Sequence, residues 1–194
     1  FGTGFTGRRA MGYGSISWAY VERYVDAYLA LLRGETIEWE GATMRMLHPD
    51  LSAPPRPIEV PLVMSAFGPK GADITRRRGH GIIVHEALLP VEGFDWLACI
   101  AGGTVLGGGE SPRSDRVKAA IGPGWALPYH LTYEYAGPDA VAAMPGGEAW
   151  LASIGQHPER ERHLAVHDHH LIAMNEADHA AWQAGGSEAV ELFT

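Results

Sequence analysis

The stretch "PLVMSAFGPKGADITRRRGHGIIVHEA", residues 61–87, decides the fold. Leu62 to Ala66 is a short, continuous apolar run, the pattern of a strand buried on both faces. Phe67 to Gly71 reads as a turn, Ala72 to Arg78 as a helix with cations at its end, and Gly81 to His85 as a second apolar strand. Strand, loop, helix and strand in so short a span form a βαβ unit. Such a unit implies a parallel sheet with right-handed crossovers, hence an α/β protein.

Upstream, "SWAYVERYVDAYLALLRGE" (17–35) places Val21, Tyr24, Val25, Tyr28, Leu29 and Leu32 on one helical stripe. Ser17 suits the N-cap, and Gly34 suits the residue after the C-cap. In "TIEWEGATMRM" (36–46), Ile37 to Trp39 and Thr43 to Met46 can pair as a hairpin around Glu40 and Gly41. Five prolines (Pro49, Pro54, Pro55, Pro57 and Pro61) then forbid a helix or central strand. Residues 35–60 therefore read as a hairpin and proline-rich insertion within a single domain, 1–194. Downstream, Phe94 to Leu106 reads as a helix ending at the glycines 107–109. Val117 to Gly122 reads as a strand, and Leu127 to Ala136 and Glu148 to Ile154 as helices. No internal repeat of fixed period occurs, but alternating strands and helices suit a β/α barrel or a doubly wound sheet.

The bulk composition narrows the function classes. The chain has 194 residues, 46% hydrophobic and 20% charged, as a globular protein with a packed core does. It is shorter than the roughly 250 residues of a complete eight-fold barrel. A net charge of −8 opposes nucleic-acid binding, which needs concentrated Lys and Arg. From Glu134 to Thr194, ten acidic residues face only Arg160 and Arg162, so an anion site is expected in the first half. Cys99 is the only cysteine and fits a reducing compartment; its apolar neighbours predict a buried thiol. No apolar run is long enough for a membrane span and no leader pattern opens the chain, so a cytoplasmic protein is expected.

Four stretches can carry chemistry. "SAFGPK" (65–70) lies at the C-terminal end of a buried parallel strand, the edge at which α/β proteins bind ligands. Gly68 permits close backbone approach, Pro69 suits a first helical turn, and Lys70 beside a helix N-terminus is explained by a bound phosphate or by plain solvation in an ordinary βα turn. The opening "GTGFTG" carries Gly2, Gly4 and Gly7 in a GxGxxG register, but it lacks the preceding strand of the dinucleotide fingerprint, and Asp26 falls inside the helix. His163, His167 and His170 share one face if a helix spans them, a stripe open to zinc or to plain hydrogen bonding. Arg76 to Arg78 either bind an acidic group or simply complement the helix dipole.

Taken together, "GTGFTGRRAMG", "YVERYVDAYLALLRGE", "EWEG", the proline-rich excursion and "VPLVMSAFGPKGADITRRRGHGII" resemble the luciferase-like oxidoreductases, in the branch similar to methylenetetrahydromethanopterin reductase. The resemblance covers residues 1 to about 86. A looser likeness covers 157–182, where Asp168 and His169 depart from the family's glutamate and glycine. The resemblance implies a TIM-type (β/α)8 barrel, incomplete in this chain, that binds coenzyme F-420 or FMN at the C-terminal ends of its strands. It assigns Gly2, Thr3, Gly4, Ser65, Ala66, Gly68, Pro69 and Lys70 to the cofactor and leaves the catalytic residues unknown. It also implies a fragment, with strands missing before "FGTG" and a β/α unit missing after "ELFT". The expected activity is hydride transfer between the cofactor and a small organic substrate. An FMN monooxygenase fed by a partner reductase is the alternative enzyme, and a truncated half-barrel that associates with itself or with its missing part is the non-enzymatic one. Neither nucleic acid nor membrane is an expected partner.

Overall fold

The computed structural model describes residues 1–49, 51–85 and 88–185. Asp50 of the proline-rich segment, Glu86 and Ala87 of the βαβ stretch, and residues 186–194, including "ELFT", lie outside the described residues. The chain forms two compact units. Unit 1 comprises Phe1–Phe5 and Ser15–Ala101; unit 2 comprises Thr6–Gly14 and the residues from Gly102 onward.

Unit 1 is the α/β part. Helix α2 spans Trp18–Leu32; the short helix α1 at Phe5–Ala10 precedes it and belongs to unit 2 from Thr6 onward. The Ser17 side chain accepts from the Tyr20 N–H, and Arg33 closes the helix ahead of Gly34, whose φ of 85° lies in the left-handed region. Strands β1 (Ile37–Trp39) and β2 (Ala42–Met44) form the expected antiparallel hairpin, with Glu38 opposite Thr43. Past the hairpin, Arg56 gathers the proline-rich segment: its guanidinium donates to the carbonyls of Met46 (3.0 Å) and His48 (3.1 Å).

The βαβ unit is present as read: β3 at Val63–Ser65, α3 at Pro69–Arg78 and β4 at Gly81–His85, with Val63 registered on Gly81 and Ser65 on Ile83 in parallel. The next element corrects the sequence reading. Residues Trp96–Ile100, expected to be helical, form strand β5, parallel to β4 and hydrogen-bonded along its whole length. An eight-residue stretch bounded by Gly93 and by Gly102–Gly103 is too short for a stable helix, but its apolar centre matches a strand, and β4 offers it a ready ladder. The sheet order is β3-β4-β5. Strand β5 is largely exposed, and Cys99 on it is exposed too, so the expected buried thiol is corrected: an outer strand gives its side chains little cover.

Two packed groups cover the inner strands. Val21 and Val25 of α2 and Ile74 of α3 lie against Leu62 and Met64. Ala66, Ile82 and Val84 meet Trp18, Ala72, Val91 and Phe94. Gly71 is required at this junction, because a Cβ there would stand 2.7 Å from the Ala66 Cβ and collide with the Trp18 indole.

Past Gly102, the regular elements of unit 2 among the described residues are helices: α4 (Asp115–Ala136), α5 (Pro138–Ala142), α6 (Gly147–Gly155), a single 3-10 turn (Glu159–Glu161), α7 (Arg162–His167) and α8 (Glu176–Gln183). Val117–Gly122, read as a strand, is the first third of α4, and Leu127–Ala136 is its end. The Gly122-Pro123-Gly124 triplet does not break the helix, because Val117, Ile121, Trp125 and Tyr129 recur every four residues and all enter the core. Packing outweighs the hydrogen bonds lost at Pro123 and Pro128. Trp125, Trp150, Trp182, Val141 and Val166 complete that core. Ahead of α4, Glu110 accepts from Arg116 (2.6 Å), the Gly107 N–H and Ser114, with Arg116 foremost in holding its carboxyl down at about 2. Among the described residues no helix is long and apolar enough to cross a membrane.

Candidate cofactor-binding site

The assigned residues form two loops, and the structure brings them side by side. The Phe1 amino group donates to the Val63 carbonyl (2.8 Å), and the Ser65 N–H donates to the Phe1 carbonyl (2.7 Å). That alternation is a parallel ladder, so Phe1 pairs with β3 on the edge opposite β4. Gly2 to Gly4 therefore leave the sheet beside the residues that leave β3. A Cβ on Gly2 would stand 3.2 Å from the Ser65 carbonyl oxygen, so the two backbones are in contact. Thr3 is tied down through its carbonyl, which accepts from the Ile16 N–H (3.0 Å), and Gly4 turns the chain with φ 65°.

From Ser65 the second loop runs straight into α3. The Ala66 N–H donates to Ile83 on β4 (3.1 Å), which holds the loop at the C-terminal edge of the sheet. Gly68 is the N-cap, in extended conformation and with no side chain to cap the helix, and Pro69 occupies the first turn. Helix geometry leaves the first-turn N–H groups of Lys70 and Gly71 without intrahelical partners, and no acidic residue sits in that turn. Space at a Gly68 Cβ is open, and Lys70 is exposed. Free N–H groups, a positive helix end and a lysine make a donor set for an anion such as phosphate.

The arginines at the far end of α3 are engaged otherwise. Arg77 donates to Glu22 (3.0 Å), Arg78 to Asp26 (2.6 Å) and Arg76 to the Glu92 carbonyl. They join α3 to α2 and to the segment after β4, and they occupy Asp26, the residue at the acidic position of the dinucleotide fingerprint.

The histidine stripe does not form. Helix α7 ends at His167, where Asp168 turns extended, so His170 is not on the helix, and the His163 ring lies against Gly12. His167 and His170 turn instead toward His130 on α4, a partner the sequence reading missed. Among the described residues no group of His, Cys, Asp and Glu is arranged to hold a metal ion. Asp178 on α8 is fully buried and accepts three N–H donors: Trp150 Nε1 (2.9 Å), His130 Nε2 (2.9 Å) and the Asn175 backbone (3.0 Å). The signals for this network were the buried stripe of α4, which carries His130, and the "NEAD" capping pattern at 175–178.

A model of the luciferase-like monooxygenase family matches residues 15–98. In this segment the chain is similar to the luciferase-like family. The match opens just ahead of the α2 N-cap and closes within β5, so it holds the whole βαβ unit and lies inside unit 1. The luciferase-like segment thus contains Ser65, Ala66, Gly68, Pro69 and Lys70, while Gly2, Thr3 and Gly4 precede it. No curated protein and no solved structure matches the chain.

Proposed function

We propose that this luciferase-like chain is part of an oxidoreductase that moves a hydride between coenzyme F-420 or FMN and a small organic substrate. The observation that carries the proposal is the contact of the Phe1–Gly4 loop with the Ser65–Lys70 loop at the C-terminal edge of a parallel sheet. In this reading the backbone N–H groups at the start of α3 and the Lys70 ammonium hold the cofactor's phosphate, and Gly2 and Gly68 keep the approach clear. Ser65 and Ala66 set the loop's exit from β3, Pro69 preorganises the first turn of α3, and Thr3 anchors the neighbouring loop. The bound flavin or deazaflavin supplies the hydride chemistry. The residues of this chain bind and orient it.

F-420 is preferred because its acidic tail suits the Lys70 ammonium. The family's description favours a second reading, an FMN monooxygenase that uses dioxygen with electrons from a partner reductase. A (β/α)8 barrel completed by strands outside this chain or by association of copies, and a cytoplasmic location, belong to the same proposal. Fluorescence titration of the purified chain with F-420 and with FMN tests it: saturable binding of either is expected, and binding of neither overturns the assignment. Oxygen uptake on adding reduced FMN separates the two enzymatic readings.

A further inference from the structure

We propose that the histidine cluster of unit 2 is an acid-sensitive latch: protonating His167 and His170 unlocks the packing of α4, α7 and α8 while unit 1 stays folded. The cluster draws on five helices. From α4 come Tyr129, His130 and Glu134; from α7, His167; from the turn after it, His170; from α8, Asp178; from α6, Trp150; and from α1, Arg9. Glu134 joins two of them, accepting from His167 Nε2 (3.3 Å) and pairing with Arg9. The three imidazole centroids lie 5.1 to 6.4 Å apart. Asp168 and His169 pair with each other in solvent, outside the cluster.

With all three imidazoles neutral, hydrogen-bond bookkeeping fixes where the protons are. A carboxylate only accepts, so His130 carries its proton on Nε2 toward Asp178, and the neutral ring presents a bare Nδ1. His170 Nδ1 stands 2.9 Å from that atom and must donate to it, which leaves His170 Nε2 bare. His167 donates from Nε2 to Glu134, which leaves its Nδ1 bare. Both bare nitrogens are buried and have no partner among the described residues, and the His167 side chain is only 2% exposed. A proton added at either has no acceptor and creates a buried cation beside two other imidazoles and Arg9. A second proton between His130 and His170 breaks their contact outright.

This geometry disfavours the protonated rings. Burial, followed by the neighbouring His130 and His167, pushes the His170 imidazole down to about 4 from an ordinary 6.5. Burial also lowers His167, against an opposing pull from Glu134. Folded-state values below the unfolded value mean that the unfolded chain binds protons the folded chain refuses. Stability is therefore complete above about pH 6.5 and falls as pH drops from there toward 4.

The six tryptophans divide evenly: Trp18, Trp39 and Trp96 in unit 1, and Trp125, Trp150 and Trp182 in unit 2. In the 15N-tryptophan-labelled chain, the three unit 2 indole N–H signals should vanish or shift between pH 6.5 and 4.5, with uptake of about two protons, before the unit 1 signals change. His167→Gln with His170→Gln should move that transition to lower pH and remove the proton uptake. Loss of all six signals together, their persistence to pH 4.5, or an unchanged midpoint in the double variant would overturn the proposal. Should the double variant not fold, imidazole titration of the wild-type chain decides alone: a His170 midpoint near 6.5 with the unit 2 signals unchanged refutes the latch, and one below 6.5 that coincides with the loss of those signals supports it.

Discussion

Unit 1 keeps its charges at the surface, where Arg77 meets Glu22 and Arg78 meets Asp26 on half-exposed side chains, while its core is apolar. Unit 2 takes Asp178, His130, His167 and Asn175 inside: Asp178 accepts from His130 and from the Asn175 backbone, while His167 reaches only Glu134 and keeps its other ring nitrogen bare. A surface ion pair in high dielectric contributes little, and its loss leaves both partners to water. A buried polar group that loses its partner keeps the full desolvation cost. The two units should therefore answer similar substitutions with unequal losses.

The largest expected effect is in unit 2. Trp150 is fully buried, packs on Tyr129, His130 and Tyr133, and donates to Asp178. Trp150→Ala should cost about 3–5 kcal/mol in denaturant unfolding, with the lost donor adding to the cavity; a loss under about 1 kcal/mol would erase the contrast between the units. Gly71→Ala tests the apolar side of the comparison by forcing a methyl into Trp18 and Ala66, and a melting experiment should register about 1–3 kcal/mol.

Matched helix caps sharpen the contrast. Ser17→Ala removes one exposed cap bond and Asn175→Ala removes a buried one that also donates to the Ala165 and Val166 carbonyls. Both should fall within about 0.5–2 kcal/mol, with Asn175 the costlier; equal losses would argue that burial of the cap is irrelevant. Arg78→Ala should have the smallest effect and become neutral in high salt, as thermal melts at two ionic strengths would read.

Unit 1 was legible because its signals are local. The α2 stripe, Ser17, Gly34 and the strand–loop–helix–strand run of 62–85 each fall within one element or between neighbours, and the family segment spans the same residues. Strand β5 was misread because five apolar residues support either periodicity until β4 supplies the ladder. Unit 2 was misread where the deciding contacts are distant. Nothing near His130 announces Asp178, 48 residues on, and the glycine–proline triplet in α4 signals a break that packing overrides. In the candidate site, the two glycine loops could be named separately, but their adjacency depends on Phe1 pairing with β3 across 62 residues.

The central claim is that the edge where those loops meet holds a cofactor phosphate. The most direct measurement titrates the purified chain, wild type and Lys70→Ala, with FMN and with riboflavin, and with F-420 and its phosphate-free deazaflavin core. The account predicts that the phosphate-bearing form of at least one pair binds more tightly to wild type, and that Lys70→Ala removes most of that difference. Equal binding with and without the phosphate, or a preference untouched by the substitution, would contradict it.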